Sequence, residues 1–343
     1  MRRSRKPIVI ASRRSELARV QAEMVARVLR RLHAGVEVTF NWVESRGDRL
    51  SGRLNEQGGK GLFTKAVEAE LLTGRADVAV HSMKDLPALD TPGLTIAAVP
   101  RRADVRDALL SRSGVTEVGA LPEGAMVGTA SPRRLAQLRR VRDDLRFRVL
   151  RGNVPTRVAA VLDQPSNGHD PADATLLAVA GLKRLGMLDR ASAVLPLEAM
   201  LPAACQGALA VQCRADDHVT VTRLLPMNHA ASAAAVHAER QVVASLGASC
   251  DSALGVLVRW VEGAKVGSVD EVELWVRAMT ADGSEMAEAR ATCSGKRLRH
   301  GVRDVVAAIE SRGGRAMLEA RGLADGAWAE EASVEVPVAR SEV

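Results

Sequence analysis

Short β-branched runs alternate with helical stretches through the first two-thirds of this 343-residue chain, and that alternation restricts it to an α/β architecture. Strands are expected at 7–12, 36–43, 76–81 and 94–99, with helical periodicity over about 15–31 and 62–73. Ser12 or Ser15 is placed to start the first helix and Gly74 to end the second. After 100-PRRADVRD-107 a second unit of the same kind begins. Its strands fall at 125–130, 145–150 and 174–180, and its helices cover about 131–143 and 153–163. Residues 201–214 read as a return strand. From about 218 the pattern changes to two helices, then strands near 254–262, 271–280 and 285–293, then a helix near 297–312, an α+β order. The expected organisation is a first α/β lobe at 1–100 with 201–217, a second at 101–200, a small α+β domain at 218–313 and a tail at 314–343. Residues 44–61 lack periodicity and are Gly-rich, as lids or disordered loops are.

At 47% hydrophobic residues, a chain of this length supports two or three cores. No apolar run reaches a membrane span. The basic start, 1-MRRSRKP-7, leads into an apolar stretch too short for a secretory signal, so a cytoplasmic protein is expected. Cys205, Cys213, Cys250 and Cys293 show no C-x-x-C spacing, which suits free thiols in a reducing compartment. The seven His form no metal-ligating pattern.

The run 76-ADVAV-80 stops abruptly at His81, Ser82, Lys84 and Asp85. Carboxyl ends of strands are where α/β sheets place ligands. Taken alone, such an end reads more readily as a solvated turn. Repetition changes the reading. Arg13, Lys84, the pair Arg133–Arg134, Arg151 with Arg157, and the pair Lys183–Arg184 each follow an expected strand, next to an expected helix start, where anions are favoured. Arg supplies 41 of the 48 basic residues, at a net charge of +7, and its planar fork suits carboxylate or phosphate. The placement predicts a polyanion cleft between two α/β lobes. Nucleic acid is the other reading of a basic chain, but aromatic residues are only 2%, too few for stacking platforms.

One acid stands in this basic field. Asp85 reads either as a salt-bridge partner or as a carboxylate held ionised by cations, able to stabilise a cationic intermediate or move a proton. Cys250, in 245-SLGASCDSALGV-256, is flanked by small residues that leave room for a group on its sulfur. It reads equally as a small buried hydrophobe.

The segments 11-ASRRSELA-18, 58-GGKGLFTK-65, 77-DVAVHSMKDLP-87, 104-DVRDALLS-111, 127-VGTASPRR-134, 150-LRGNVPTR-157, 202-PAACQGALAVQCR-214 and 246-LGASC-250, in that order, resemble hydroxymethylbilane synthase, also called porphobilinogen deaminase. The resemblance runs from about residue 7 to 312. It implies two lobes like those of periplasmic binding proteins, an active cleft between them, and a third domain bearing a dipyrromethane cofactor as a cysteine thioether. It further implies polymerisation of four porphobilinogen molecules, with loss of ammonia through a cationic azafulvene, to linear 1-hydroxymethylbilane. By motif position it makes Cys250 the attachment residue and Asp85 the catalytic carboxylate. Arg13, Lys84, Arg133, Arg134, Arg151, Arg157 and Arg184 fall on basic cofactor- and substrate-binding positions. Ser82, Thr129 and Ser131 fall on hydrogen-bonding positions, Gly152 contributes backbone, and Lys60 lies in the lid loop. A monomer that passes its product to uroporphyrinogen-III synthase is implied, with no nucleic acid, membrane or metal involved. The pattern departs at Asp251, which sets a negative charge beside the attachment sulfur, and at Ala130, Pro132, Pro155, Glu16 and Cys205.

A non-catalytic anion binder on the same two lobes would need neither Asp85 nor Cys250. That pair discriminates the readings, because fold alone does not fix function.

Overall fold

The computed structural model describes residues 7–44, 62–163, 172–249, 251–261 and 271–319. In the first lobe, β1 (Ile8–Arg13), α1 (Glu16–Leu32), β2 (Val38–Val43), α2 (Leu62–Leu72), β3 (Val78–Ser82) and β4 (Leu94–Ala98) follow one another. The chain then crosses into β5 (Asp107–Ser111), β6 (Met126–Gly128), α3 (Pro132–Val141), β7 (Arg146–Arg148), α4 (Val154–Leu162), β8 (Ala174–Ala178), α5 (Val179–Arg184) and β9 (Ala193–Val194). It returns through β10 (Leu209–Arg214) and continues as α6 (His218–Leu224), α7 (Ala230–Ser245), β11 (Leu254–Trp260), β12 (Glu271–Met279), β13 (Met286–Ser294), α8 (Leu298–Glu310) and α9 (Gly314–Glu319).

The two lobes share one plan. The first sheet runs β2-β1-β3-β10-β4 and the second β7-β6-β8-β5-β9. In each, three parallel strands are followed by one of opposite direction. That reversed strand is the one reached by crossing from the other lobe, so each lobe is completed by chain arriving from its neighbour. The third unit is the antiparallel sheet β11-β12-β13 covered by helices.

Local sequence accounts for most of these elements. Helix α1 buries Gln21, Ala22, Val25, Ala26 and Leu29, a spacing that keeps one face inward. Ser15 occupies its N-cap, while the Ser12 hydroxyl points back to the Ala18 and Val80 carbonyls. Pro at the first turn and a capping side chain start both α3 (Ser131) and α4 (Asn153). Gly74, with φ of +69°, follows α2.

Four expectations change. Strands β5 and β9 were not anticipated, because β5 is buried throughout without an alternating pattern and β9 is only two residues long. The return strand begins only at Leu209. Residues 201–208 are irregular instead, with Cys205 at φ of +61°. Lys183 and Arg184 do not follow a strand but close the short helix α5. Regular structure extends past 314, because α9 buries Leu318 in the third core.

Candidate active site between the lobes

The last residues of β3 and the turn of 3₁₀ helix after it, Met83–Asp85, carry Ser82, Lys84 and Asp85 to the junction of the lobes. Met83 anchors the turn from below, at 1% exposure. Across the junction, α3, α4 and α5 bring Arg134, Arg157 and Arg184. These three arginines, Lys84, Ser82 and Gln21 line one cavity of about 560 Å³, open to solvent. A neighbouring hollow shares Gln21 and Ser82 and adds Arg13, Thr64, His81 and Asp85. The Gln21 amide and Ser82 hydroxyl join α1 to β3 by contacts of 2.9 and 3.2 Å and form the wall common to both spaces.

The cavity is electrostatically one-sided. Burial pushes the Lys84 ammonium down to about 8, with Asp85 opposing. Burial and then Arg134 push the Arg157 guanidinium down, again against Asp85. Burial alone pushes Arg184 down. Three cations thus sit where their charge is poorly solvated. The Nε groups of Arg134 and Arg157 are buried with no hydrogen-bond partner among the described residues. Buried, unpaired donors of this kind are costly unless an anion meets them. Asp85 is exposed at the mouth. Burial pushes the His81 imidazole down from its ordinary value, against Glu68, Gln212 and Asp85.

The other expected residues divide. Arg133 does not line the cavity. It donates from Nη1 to the Leu201 carbonyl at 2.6 Å and from Nη2 to Asp107 at 2.8 Å, inside the protein. The Thr129 hydroxyl accepts from the Ser131 amide at 3.1 Å, and the Ser131 hydroxyl from the Arg134 amide at 3.5 Å, so both shape the start of α3. Arg151 and Gly152 are exposed in the loop before α4. Gly152 has φ of +110°, where a Cβ would press on Thr156 at 3.0 Å. Lys60 and Cys250 lie outside the described residues.

Sequence reasoning did not single out Gln21, Asp107 or Gln206. The signal for Gln21 was its place on the inward face of α1, where a polar residue needs a partner. Asp107 and Gln206 stand inside quoted motifs but were not separated from their neighbours.

Sheet order, crossing strands and cationic interlobe cavity together define a two-lobed α/β protein built to hold an anionic ligand between its lobes. Residues 8–222 match the family model described as "Porphobilinogen deaminase, dipyromethane cofactor binding domain". A protein named porphobilinogen deaminase from Paraburkholderia phytofirmans is 41% identical over 323 residues, covering 93% of this chain and 90% of that protein. One of the same name from Sphingopyxis alaskensis is 44% identical over 259 residues, covering 74% of this chain and 80% of that one. The chain belongs to the porphobilinogen deaminase family. A substrate-binding domain of a putative amino acid ABC transporter from Streptococcus pneumoniae aligns over 65% of this chain and 91% of that one, at 12% identity and a TM-score of 0.39; nothing about the site follows from that likeness.

Proposed function

We infer that this protein is the transferase that converts four porphobilinogen molecules and one water into 1-hydroxymethylbilane and four ammonia, in porphyrin biosynthesis. The single observation that carries the reading is the cavity in which Lys84, Arg134, Arg157 and Arg184 converge, the buried Nε groups of Arg134 and Arg157 having no partner among the described residues. Each pyrrole brings an acetate and a propionate, so a growing chain is a polyanion, and such donors fit it. A dipyrromethane group suits this donor set: its carboxylates would meet Arg134, Arg157 and Lys84. That group supplies the pyrrole chain end from which the product is built.

The protein's own residues do the rest. Arg134, Arg157 and Arg184 hold carboxylates on the second-lobe side, and Arg13 and Lys84 hold them on the first. Arg133 supports Arg134 from behind, and Thr129 and Ser131 fix the turn that presents it. Asp85, at the mouth, accepts the N–H of a substrate pyrrole and steadies the positive charge that develops as ammonia leaves. Ser82 positions the substrate through its hydroxyl. Arg151 and Gly152 border the cleft for later rings. Cys250 is the attachment residue: its thiolate would form a thioether to the exocyclic methylene carbon of a porphobilinogen unit as the C–N bond to that carbon breaks and ammonia leaves. We assign the enzyme to the cytoplasm as a monomer that hands its product to uroporphyrinogen-III synthase. No helix among the described residues is long and apolar enough to cross a membrane.

Intact mass of the purified protein tests the assignment. A two-pyrrole adduct is expected, absent from Cys250→Ser. Asp85→Asn should fold normally, since Asp85 is exposed, but lose turnover by several orders of magnitude, on the order of 5 kcal/mol in barrier. A normal adduct in Cys250→Ser, or near-normal porphobilinogen consumption by Asp85→Asn, would reject the respective role.

A further inference from the structure

A buried polar chain runs behind the cavity. Asp107, the first residue of β5, is fully buried. Its Oδ2 accepts from Arg133 Nη2 at 2.8 Å, and its Oδ1 accepts from Arg134 Nη2 at 2.7 Å and from Gln206 Nε2 at 3.1 Å. Gln206, equally buried, also donates from Nε2 to the Val105 carbonyl at 2.8 Å. With both amide protons directed to those acceptors, its Oε1 is left to accept from Lys84 Nζ, at 3.4 Å. The amide orientation is therefore dictated by its partners. Burial pushes the Asp107 carboxyl up, but Arg133, Arg134 and Lys84 outweigh it and hold it below its ordinary value of 3.8, so it stays an anion.

We propose that Asp107 and Gln206, neither of which lines the cavity, are positioning residues for carboxylate binding: Asp107 fixes Arg134 directly and Lys84 through Gln206, so that one buried anion sets cations of both lobes toward the same ligand. The reading rests on the function inferred above and names the device that keeps its binding cations in register. Asp107 and Gln206 sit on the two crossing segments, so the device spans the junction about which the lobes meet. Arg134 is held by one Nη, which leaves its Nε with no partner among the described residues. Among the described residues Lys84 has a single acceptor at 3.4 Å, a long contact that leaves its other protons for a ligand.

Lys84 reports on this arrangement. The charged groups acting on it are Asp85 beside it, Asp107 on β5, Arg134 on α3 and Arg157 on α4. Arg184 of α5 lines the same cavity. The two aspartates favour its ammonium and the arginines disfavour it. Gln206 Oε1, an acceptor, favours the ammonium too. Loss of that acceptor moves the deprotonation of Lys84 to lower pH, and carboxylate binding fails earlier as pH rises. A residue that merely fills space would not move this limb.

The test uses the full-length purified protein with Gln206→Met, Gln206→Asn and Asp107→Asn. Thermal unfolding and intact mass report folding and adduct, and kcat/KM for porphobilinogen is followed from about pH 6 to about pH 9.5. Gln206→Met is expected to fold and keep its adduct. Its alkaline limb should lie at lower pH by about one unit, a roughly tenfold loss of kcat/KM on that limb, carried mainly by KM. Asp107→Asn should show a larger displacement and a reduced adduct. NMR of reductively ¹³C-methylated lysines, with Lys84 assigned from Lys84→Met, reads the same displacement without turnover. An alkaline limb and Lys84 titration that coincide with wild type in the Gln206 variants overturn the proposal. So does unfolding of both Gln206 variants where wild type is folded, since the role is then structural. A wild type with no adduct and no porphobilinogen consumption rejects the inferred function instead, and the Lys84 titration still decides the positioning role.

Discussion

Adjacent arginines on α3 have opposite duties. Arg133 is spent inside the protein, on Asp107 and the Leu201 carbonyl, while Arg134 shares Asp107 but lines the cavity. Arg157, without a hydrogen bond from its buried Nε among the described residues, is committed to the cavity alone. Their substitutions should separate accordingly. Arg133→Ala leaves a buried carboxylate without one of the two guanidinium groups that pair it and should cost about 3–5 kcal/mol, read as a lower urea midpoint. Arg157→Ala removes a poorly solvated charge and should leave the midpoint within about 1 kcal/mol of wild type. Its defect should instead be a changed distribution of enzyme-bound pyrrole intermediates, resolved by intact mass. A wild-type distribution would return Arg157 to the status of structural charge. A lysine or arginine after a strand was legible from sequence, but which of two neighbours faces solvent, ligand or core was not. That choice follows from Asp107, which lies 26 and 27 residues away in the chain.

Helix α3 joins two interfaces. Its first turn presents Arg134 to the cavity. One turn on, the Gln137 amide donates to the Leu201 carbonyl at 3.1 Å, and its Oε1 accepts from the Leu201 amide at 2.8 Å and from Arg277 Nη1 of β12 at 2.7 Å. The hairpin between β12 and β13 also docks on α3: Arg140 donates to the Gly283 carbonyl at 3.1 Å. A Cβ built on Gly283, whose φ is +79°, would lie 2.5 Å from the Ala136 carbonyl oxygen. Gly283→Ala therefore meets both backbone strain and a fixed backbone atom. It should lower stability by about 1–3 kcal/mol and loosen the third domain from the second lobe. Hydrogen exchange should show faster exchange in α3 and the hairpin; unchanged protection there would refute the docking role. Both hairpin strands and α3 were expected near their observed limits, because their periodicities are local. Their contact was not, since a Gly–carbonyl approach across 147 residues leaves no mark in either pattern.

The three domains meet at Arg102 and Glu239. The carboxylate of Glu239, on α7, is fully buried and takes Arg102 Nη1 at 2.7 Å and Nη2 at 3.0 Å. It also accepts the amides of Val258, at 2.8 Å, and Cys205. Arg102 Nε adds the Gln206 carbonyl at 2.8 Å. Both crossing segments and the third domain are thus tied to one ion pair. Glu239→Gln keeps the shape but leaves a buried guanidinium uncompensated, and about 3–5 kcal/mol of stability should go with it. The check is the thermal or urea midpoint of the full chain; a midpoint unchanged from wild type would mean the domains are held by apolar packing alone. Such a node suits lobes that hold a lengthening ligand, because it fixes the junction while leaving the cavity faces to the ligand.

The α/β alternation, the change of pattern near 218 and the delivery of Ser82, Lys84 and Asp85 at one strand end were all written in short stretches of chain. Periodicity and capping act over a few residues, so sequence order suffices to reveal them. The motif order likewise carried the family. The reversed strands β5 and β10 gained their partners from across the molecule, and α5 emerged where an apolar run had read as strand. The division of labour between Arg133 and Arg134 and the Asp107–Gln206 chain depended on pairings of up to 122 residues' separation. Buried polar groups take whichever partner the packed chain places within about 3 Å, and only the tertiary structure decides which that is.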